Sequence, residues 1–242
     1  MTTFFHGPIL LTAIATIWTG LETFTVDLLG RSRHHHHAQT YEYKTKPYAT
    51  TTTTTEDDTV DLTLYTEEAQ ADYIRNLPGL DYDPGFHQFA GYLTVGVDKH
   101  GRSRRLFYWY MESQASPESD PVVWWSNGGP GCSGLIGMGT EHGPFFINAS
   151  GALRRNPWSW NSVANMLYVE QPAGVGFSYS ENQDDYYTGD QPAAQDNYQM
   201  ILAFLERFPE RHGNPFYISS ESYGGHYMPQ CTYKALYSTT LY

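Results

Sequence analysis

The run Phe216-Tyr217-Ile218-Ser219-Ser220-Glu221-Ser222-Tyr223-Gly224-Gly225-His226-Tyr227 constrains this chain more than any other segment. An apolar, β-rich stretch passes through a small-x-Ser-x-Gly turn into the start of a helix, the layout that holds a serine hydroxyl on a strained elbow. Ser220, two residues before the serine, and Gly224, two after it, are small enough for strand and helix backbones to meet, which pushes the Ser222 side chain out of the turn. The functional reading is organised around Ser222. Only twenty residues follow it, and they contain no Asp and no His other than His226.

The rest of the chain divides by composition. Residues 1–30 contain the apolar run Ile9 to Trp18, which has the length of a signal-peptide core but no basic residue ahead of it. They read as a signal peptide or an apolar N-terminal segment too short to span a membrane. Residues 31–60 hold His34 to His37, Thr50 to Thr55 and an acidic triplet, and read as a low-complexity linker. The histidines have no Cys or carboxylate partners at ligand spacing, so no metal site is expected.

Residues 61–242 are expected to form one domain. Gln88 to Val97 and Arg104 to Ser113 flank Asp98-Lys99-His100-Gly101 and predict a β-hairpin. Pro121 to Ser126 and Met166 to Glu170 are short apolar runs bounded by turn residues, suited to strands buried on both faces of a sheet. Ala194, Tyr198, Ile201, Leu205 and Phe208 recur at helical spacing, with Asp190 and Pro192 placed for a helix N-terminus. A hairpin followed by alternating strand and helix predicts a mixed sheet with helices on its faces.

A net charge of −12 disfavours nucleic acid or anionic membrane as a partner. Twenty tyrosines and 16% aromatic residues suit a β-rich core and a pocket for apolar groups. Cys132 and Cys231 permit one disulfide or none. Asn148-Ala149-Ser150 is a sequon compatible with glycosylation on a secretory route.

The second chemical signal is Trp124-Trp125-Ser126-Asn127-Gly128-Gly129-Pro130-Gly131-Cys132-Ser133, a glycine-rich turn after a buried strand. Glycines without a Cβ let main-chain N–H groups turn toward a ligand. Such a turn can supply one donor of an oxyanion hole, and the N–H of Tyr223, the residue after the nucleophile, can supply the other. Its place about ninety residues before the elbow, after a strand of its own, makes the pairing informative.

With Leu106-Phe107-Tyr108-Trp109, Thr140-Glu141-His142-Gly143-Pro144-Phe145, Asn156-Pro157-Trp158-Ser159-Trp160-Asn161 and Pro172 to Ser180, these blocks resemble the serine carboxypeptidases over roughly Leu77 to Gln230. The resemblance implies an α/β-hydrolase fold, C-terminally truncated. It implies that Ser222 attacks the scissile carbonyl and that the N–H groups of Gly129 and Tyr223 bind the oxyanion. It also implies that Asn127, the N–H of Gly128, Glu141 and Glu221 grip the free C-terminal carboxylate of a peptide substrate. Two carboxyls forced together cannot both ionise cheaply, so one keeps a proton and donates to that carboxylate.

No cofactor or metal is implied, because a serine mechanism supplies its own nucleophile. The family's Asp and His would lie beyond Tyr242, on a continuing or second chain, and the chain alone is expected to be inactive. A truncated gene model is favoured over a two-chain enzyme or a dead paralogue. An end soon after the elbow helix would leave an unpaired sheet edge. Cys132 matches a family cysteine whose partner would also lie further along. Ser220 stands where the family usually has glycine. Trp125, Trp158 and Trp160 are expected to pack rather than line a cleft, and His226, on a helix leading away, is a poor candidate for the base. Competing functions on the same scaffold are an acyltransferase and a non-catalytic binding fragment. The expected location is the secretory pathway: vacuole, lysosome or extracellular space.

Overall fold

The apolar runs become strands of one mixed sheet. The computed structural model describes residues 11–13 and 60–237. The hairpin pairs β2 (Gln88–Val97) antiparallel with β3 (Ser103–Met111). Its turn closes through Asp98, whose carboxylate accepts from the main chain of His100 and Arg102 at 2.8 and 3.0 Å, with Gly101 at φ 79°. Alternation along β2 buries Leu93 and Val95 and leaves Tyr92 at the surface, the period-2 pattern of a strand covered on one face.

The centre of the sheet is parallel. β4 (Val122–Ser126) lies between β7 (Asn165–Val169) and β9 (Phe216–Ser220). Every residue of β7 is buried, as expected for a strand covered on both faces. β3 pairs antiparallel with both β7 and the short β8 (Tyr179–Ser180). A separate two-stranded hairpin is formed by β5 (Phe145–Ile147) and β6 (Leu153–Arg155).

The order across the large sheet is β1-β9-β4-β7-β3-β2, with β1 (Leu11–Ala13) parallel to β9. Leu11–Ala13 come from the apolar N-terminal run, and they cover the edge of β9 that was expected to stand bare. The remainder of that run, the histidine run and the threonine run lie outside the described residues.

Four α-helical elements matter for position. α1 (Glu67–Ala71) is capped by the Thr66 hydroxyl, which accepts from Ala69 N at 3.2 Å. α3 (Asp190–Arg207) follows the predicted spacing: Ala194, Tyr198, Ile201 and Leu205 are all buried against the sheet, together with Phe204 and Phe208. α2 (Leu135–Gly137) is a single turn that runs into a π-helical turn, Met138–His142. α4 (Gly224–Tyr237) leaves the elbow and packs beside α3. Among the described residues no helix is long and apolar enough to cross a membrane.

Candidate active site

β4 and β9 run parallel, so their C-terminal ends emerge side by side, with Ser126 opposite Ser220 in the register. Each strand is followed by one of the two segments singled out from the sequence. After β9, Ser222 adopts φ 52°, the only left-handed non-glycine residue among those described. A backbone outlier of this kind persists only where its surroundings hold it. Ser222 is exposed, so its hydroxyl projects from the turn into open space. Gly224 is required behind it: a Cβ there would fall 1.6 Å from the Ser220 oxygen.

After β4, Gly129 and Gly131 take φ 111° and 91°. A Cβ on Gly128 would meet Tyr223 N at 2.7 Å, Glu221 O at 2.8 Å and Ser222 Cβ at 2.8 Å. The glycine turn therefore rests directly on the elbow. Ser220 ties the two strand ends further, its hydroxyl donating to the Ser126 carbonyl at 2.6 Å. No intramolecular hydrogen bond occupies the N–H of Gly128, Gly129 or Tyr223 among the described residues.

Asn127 is almost fully buried at 1% exposure. Its Oδ1 accepts from Trp125 Nε1 and from Gly137 N, both at 3.0 Å, which leaves Nδ2 to donate to Glu221 Oε1 at 2.9 Å. Glu141 sits on the π-helical turn and faces the same region. Partial burial, and after it the charge of Glu221, push its carboxyl above the usual glutamate range. Asn156 steadies that turn by donating to the carbonyls of Glu141 at 3.3 Å and Gly143 at 2.9 Å.

His142, next to Glu141, is buried in an aromatic box. Its ring lies 4.2 Å from Trp160 in a stack and 4.3 Å from Trp125 edge-on, and Nδ1 is 3.2 Å from the Tyr168 hydroxyl. Burial lowers its pKa to about 4, so the imidazole is neutral and acts here as packing. The tryptophan expectation holds for Trp125 at 5% exposure and fails for Trp158 at 84%. Trp158 follows a proline in a loop whose other anchors, Asn156 and Ser159, take the buried positions.

His226 is exposed on the first turn of α4, its ring tilted against Tyr223 at 4.7 Å. No side chain hydrogen-bonds the Ser222 hydroxyl among the described residues, and none of their His, Cys, Asp and Glu side chains form a metal-binding group. Cys132 is exposed and Cys231 buried, both as free thiols. Burial pushes the Cys231 thiol up to about 12. Asn148 occupies the tip of the β5–β6 hairpin, its Oδ1 accepting from Ser150 N at 3.0 Å and Ala152 N at 2.9 Å.

A profile of the family described as serine carboxypeptidase matches residues 78–240, from the breaker before β2 through α4. The chain belongs to the serine carboxypeptidase family. It is 51% identical to serine carboxypeptidase-like 26 of Arabidopsis thaliana over 67% of its own length and 36% of that protein. It is 48% identical to the lysosomal protective protein of Mus musculus over 65% of its length and 32% of that one. A crystal structure of a prohormone-processing carboxypeptidase from Saccharomyces cerevisiae superposes with TM-score 0.58 at 25% identity, over 71% of this chain and 40% of that one. The mixed sheet with flanking helices is thus the α/β-hydrolase fold of serine carboxypeptidases, and the chain spans about a third of the length of the relatives it matches.

Proposed function

We propose that this chain carries the nucleophile and the substrate grip of a serine-type carboxypeptidase. The observation that carries the reading is the left-handed, exposed Ser222 set against the Gly128 turn, with three unpaired N–H groups around it. In the proposed reaction the Ser222 oxygen adds to the carbonyl carbon of the last peptide bond. The N–H groups of Gly129 and Tyr223 stabilise the oxyanion, and the C-terminal residue leaves as an amine, giving an acyl-enzyme that water hydrolyses. A base must take the serine proton and return it to the amine. That role falls to an Asp–His pair supplied by sequence outside this chain, continuous with it or on a second chain.

Asn127, the N–H of Gly128, Glu141 and Glu221 receive the substrate carboxylate. This group favours peptide release over acyl transfer, a reaction with no need to recognise a terminal carboxylate. Burial, and after it the charge of Glu221, shift Glu141 above the usual range, which favours the protonated carboxyl that can donate. The grip is complete below that raised pKa and is lost as pH rises through it, when the ionised pair repels the substrate. The family and the Asn148 sequon support a secretory-route protein destined for a vacuole, lysosome or the exterior.

Fluorophosphonate labelling of Ser222 in the enzyme completed by its Asp and His, abolished in Ser222→Ala, tests the nucleophile. In the enzyme completed by its Asp and His, release of amino acids from blocked dipeptides should weaken as pH rises to neutrality. Glu141→Gln, which donates at every pH, should flatten that dependence, and ester hydrolysis should barely respond. A wild-type peptide KM that stays level between acid and neutral pH would contradict the assignment of the grip.

A further inference from the structure

On the reading just given, the turn after β4 must aim its N–H groups at an oxygen beside Ser222, yet its glycines cannot aim themselves. Gly128 and Gly129 lack the side chains that restrict a peptide plane. Something else has to pin it.

Tyr227 is positioned to do so. It is buried at 3% exposure on α4, one turn past the elbow. Its phenol donates to the main-chain carbonyl of Asn127 and, at 3.3 Å, to that of Gly128. The Gly128 carbonyl also accepts from Cys132 N at 3.1 Å. In a planar trans peptide the C=O and the N–H point in opposite directions. Neither of these two peptide units is cis. Drawing the Asn127 carbonyl toward Tyr227 therefore turns the N–H of Gly128 away from it, and holding the Gly128 carbonyl does the same for the N–H of Gly129.

A second observation points to a ligand at the other end. Gly128 is buried, yet its N–H has no hydrogen-bond partner among the described residues. An N–H that no protein group engages, beside a nucleophile, is free to donate to a substrate oxygen. The phenol remains a donor under working conditions, because burial, partly opposed by Ser126, Ser220 and Gln171 close by, holds its pKa above the usual tyrosine value.

We propose that Tyr227 is a positioning residue for the oxyanion-binding turn, its phenol holding two carbonyls so that the N–H groups of Gly128 and Gly129 face the substrate. The proposal rests on the serine-hydrolase reading of Ser222. The test takes the 242-residue chain labelled with ¹⁵N-glycine, with and without Tyr227→Phe, completes each by co-expression with the C-terminal portion of a relative, and titrates both complexes with phenylboronic acid. The Ser222 oxygen adds to boron, its proton passes to solvent, and the resulting borate presents an anionic oxygen to the turn. In the variant the amide resonances of Gly128 and Gly129 should move while those of Gly224 and Gly225, in the elbow itself, stay in place. Boronate affinity should fall about 10-fold or more, less than the roughly 10²–10³ for outright loss of an oxyanion donor because the N–H groups remain and are only less well aimed.

Unmoved Gly128 and Gly129 resonances, or moved ones with boronate affinity unchanged, would overturn the proposal. Gly128 and Gly129 resonances that move in the variant while the completed wild-type enzyme binds no boronate would instead sink the nucleophile reading, and the oxyanion role of Tyr227 with it. Should Tyr227→Phe fail to fold, 3-fluorotyrosine placed at position 227 alone keeps the ring's shape and strengthens its donor. The same two resonances must then move.

Discussion

Ser222 holds a backbone angle that an L-residue with a Cβ adopts at a cost of about 1–2 kcal/mol. Glycine relieves that strain, though it adds roughly 0.4–1 kcal/mol of unfolded-chain entropy. Ser222→Gly should therefore be more stable than Ser222→Ala by about 0.5–1 kcal/mol in urea denaturation, with neither able to form an acyl-enzyme. Equal stabilities would mean that the elbow is not strained at this residue. Gly128 presents the opposite case, because its missing Cβ is what lets the turn lie on the elbow. The atoms a Cβ would strike at 2.7–2.8 Å are mostly main chain, which cannot swing aside. Gly128→Ala should cost about 1–3 kcal/mol in the same measurement and displace the turn from Ser222.

Among elements, the junction at the end of the sheet opposite the site is held by a buried charge cluster. Glu112, just past β3, accepts from the Tyr65 hydroxyl at 2.6 Å, pairs with His87 Nδ1 at 3.1 Å and binds Arg211, in the helical turn after α3. Glu112 and Arg211 are 4% and 3% exposed. Burial alone would raise the Glu112 pKa, but its bonds from His87, Tyr65 and Arg211 outweigh that and hold it below the usual value. The stability it contributes is thus complete above the unfolded glutamate pKa and is lost as pH falls through the folded one. Arg211→Met strands a buried carboxylate and should lower stability by about 3–5 kcal/mol, and adding Glu112→Leu should recover much of it. Thermal melts of both variants decide the matter: a single variant as stable as wild type would show the pair to be dispensable.

At this scale the physics also explains what could be read in advance. β2, β4, β7 and α3 announce themselves through local period and punctuation, so their predicted bounds lie within a residue or so of those observed, and β9 is the apolar stretch that leads into the elbow. β8 and the β5–β6 hairpin are too short to carry a period, and the π-helical turn with Glu141 has no local signature beyond the family block. The nucleophile and the glycine turn are equally local patterns of small residues. Tyr227 and the Ser220–Ser126 bond are not, because each joins residues more than ninety positions apart and leaves no mark on its neighbours. Ser220, read from the sequence as a small elbow residue and a departure from the family's glycine, is also a tie between the strands.

For the molecule as a whole, the two faces of the sheet are unequally covered. One face is sealed by α3 and α4, whose Tyr198, Phe204, Phe208 and Tyr227 join Phe89, Tyr108, Trp124 and Ile218 in the main core. The other carries a smaller cluster around Trp125, Met166 and Tyr168. Beyond that cluster runs an aromatic strip in which Phe107 contacts Tyr92 at 5.6 Å and Phe177 at 5.2 Å, with Tyr92 37% and Phe177 63% exposed. The strip lies on the antiparallel β2–β3 ladder, where one face of a sheet can stand in water, so it is the adjoining exposed rings, not the sheet type, that call for a further layer. The relatives are about three times as long as the matched segment, and on the proposed reading the remainder of the family fold covers the strip and supplies the base. The chain alone should bind a hydrophobic dye, self-associate, and turn over peptides at least about 10³-fold more slowly than the completed enzyme, since a serine without its base loses several orders of magnitude. Co-expression with the C-terminal portion of a close relative should abolish dye binding and restore hydrolysis together, and Phe177→Lys should impair both while leaving the circular dichroism of the chain alone unchanged. Hydrolysis restored with the dye still bound would separate the two, placing the base beside Ser222 but leaving the aromatic strip uncovered.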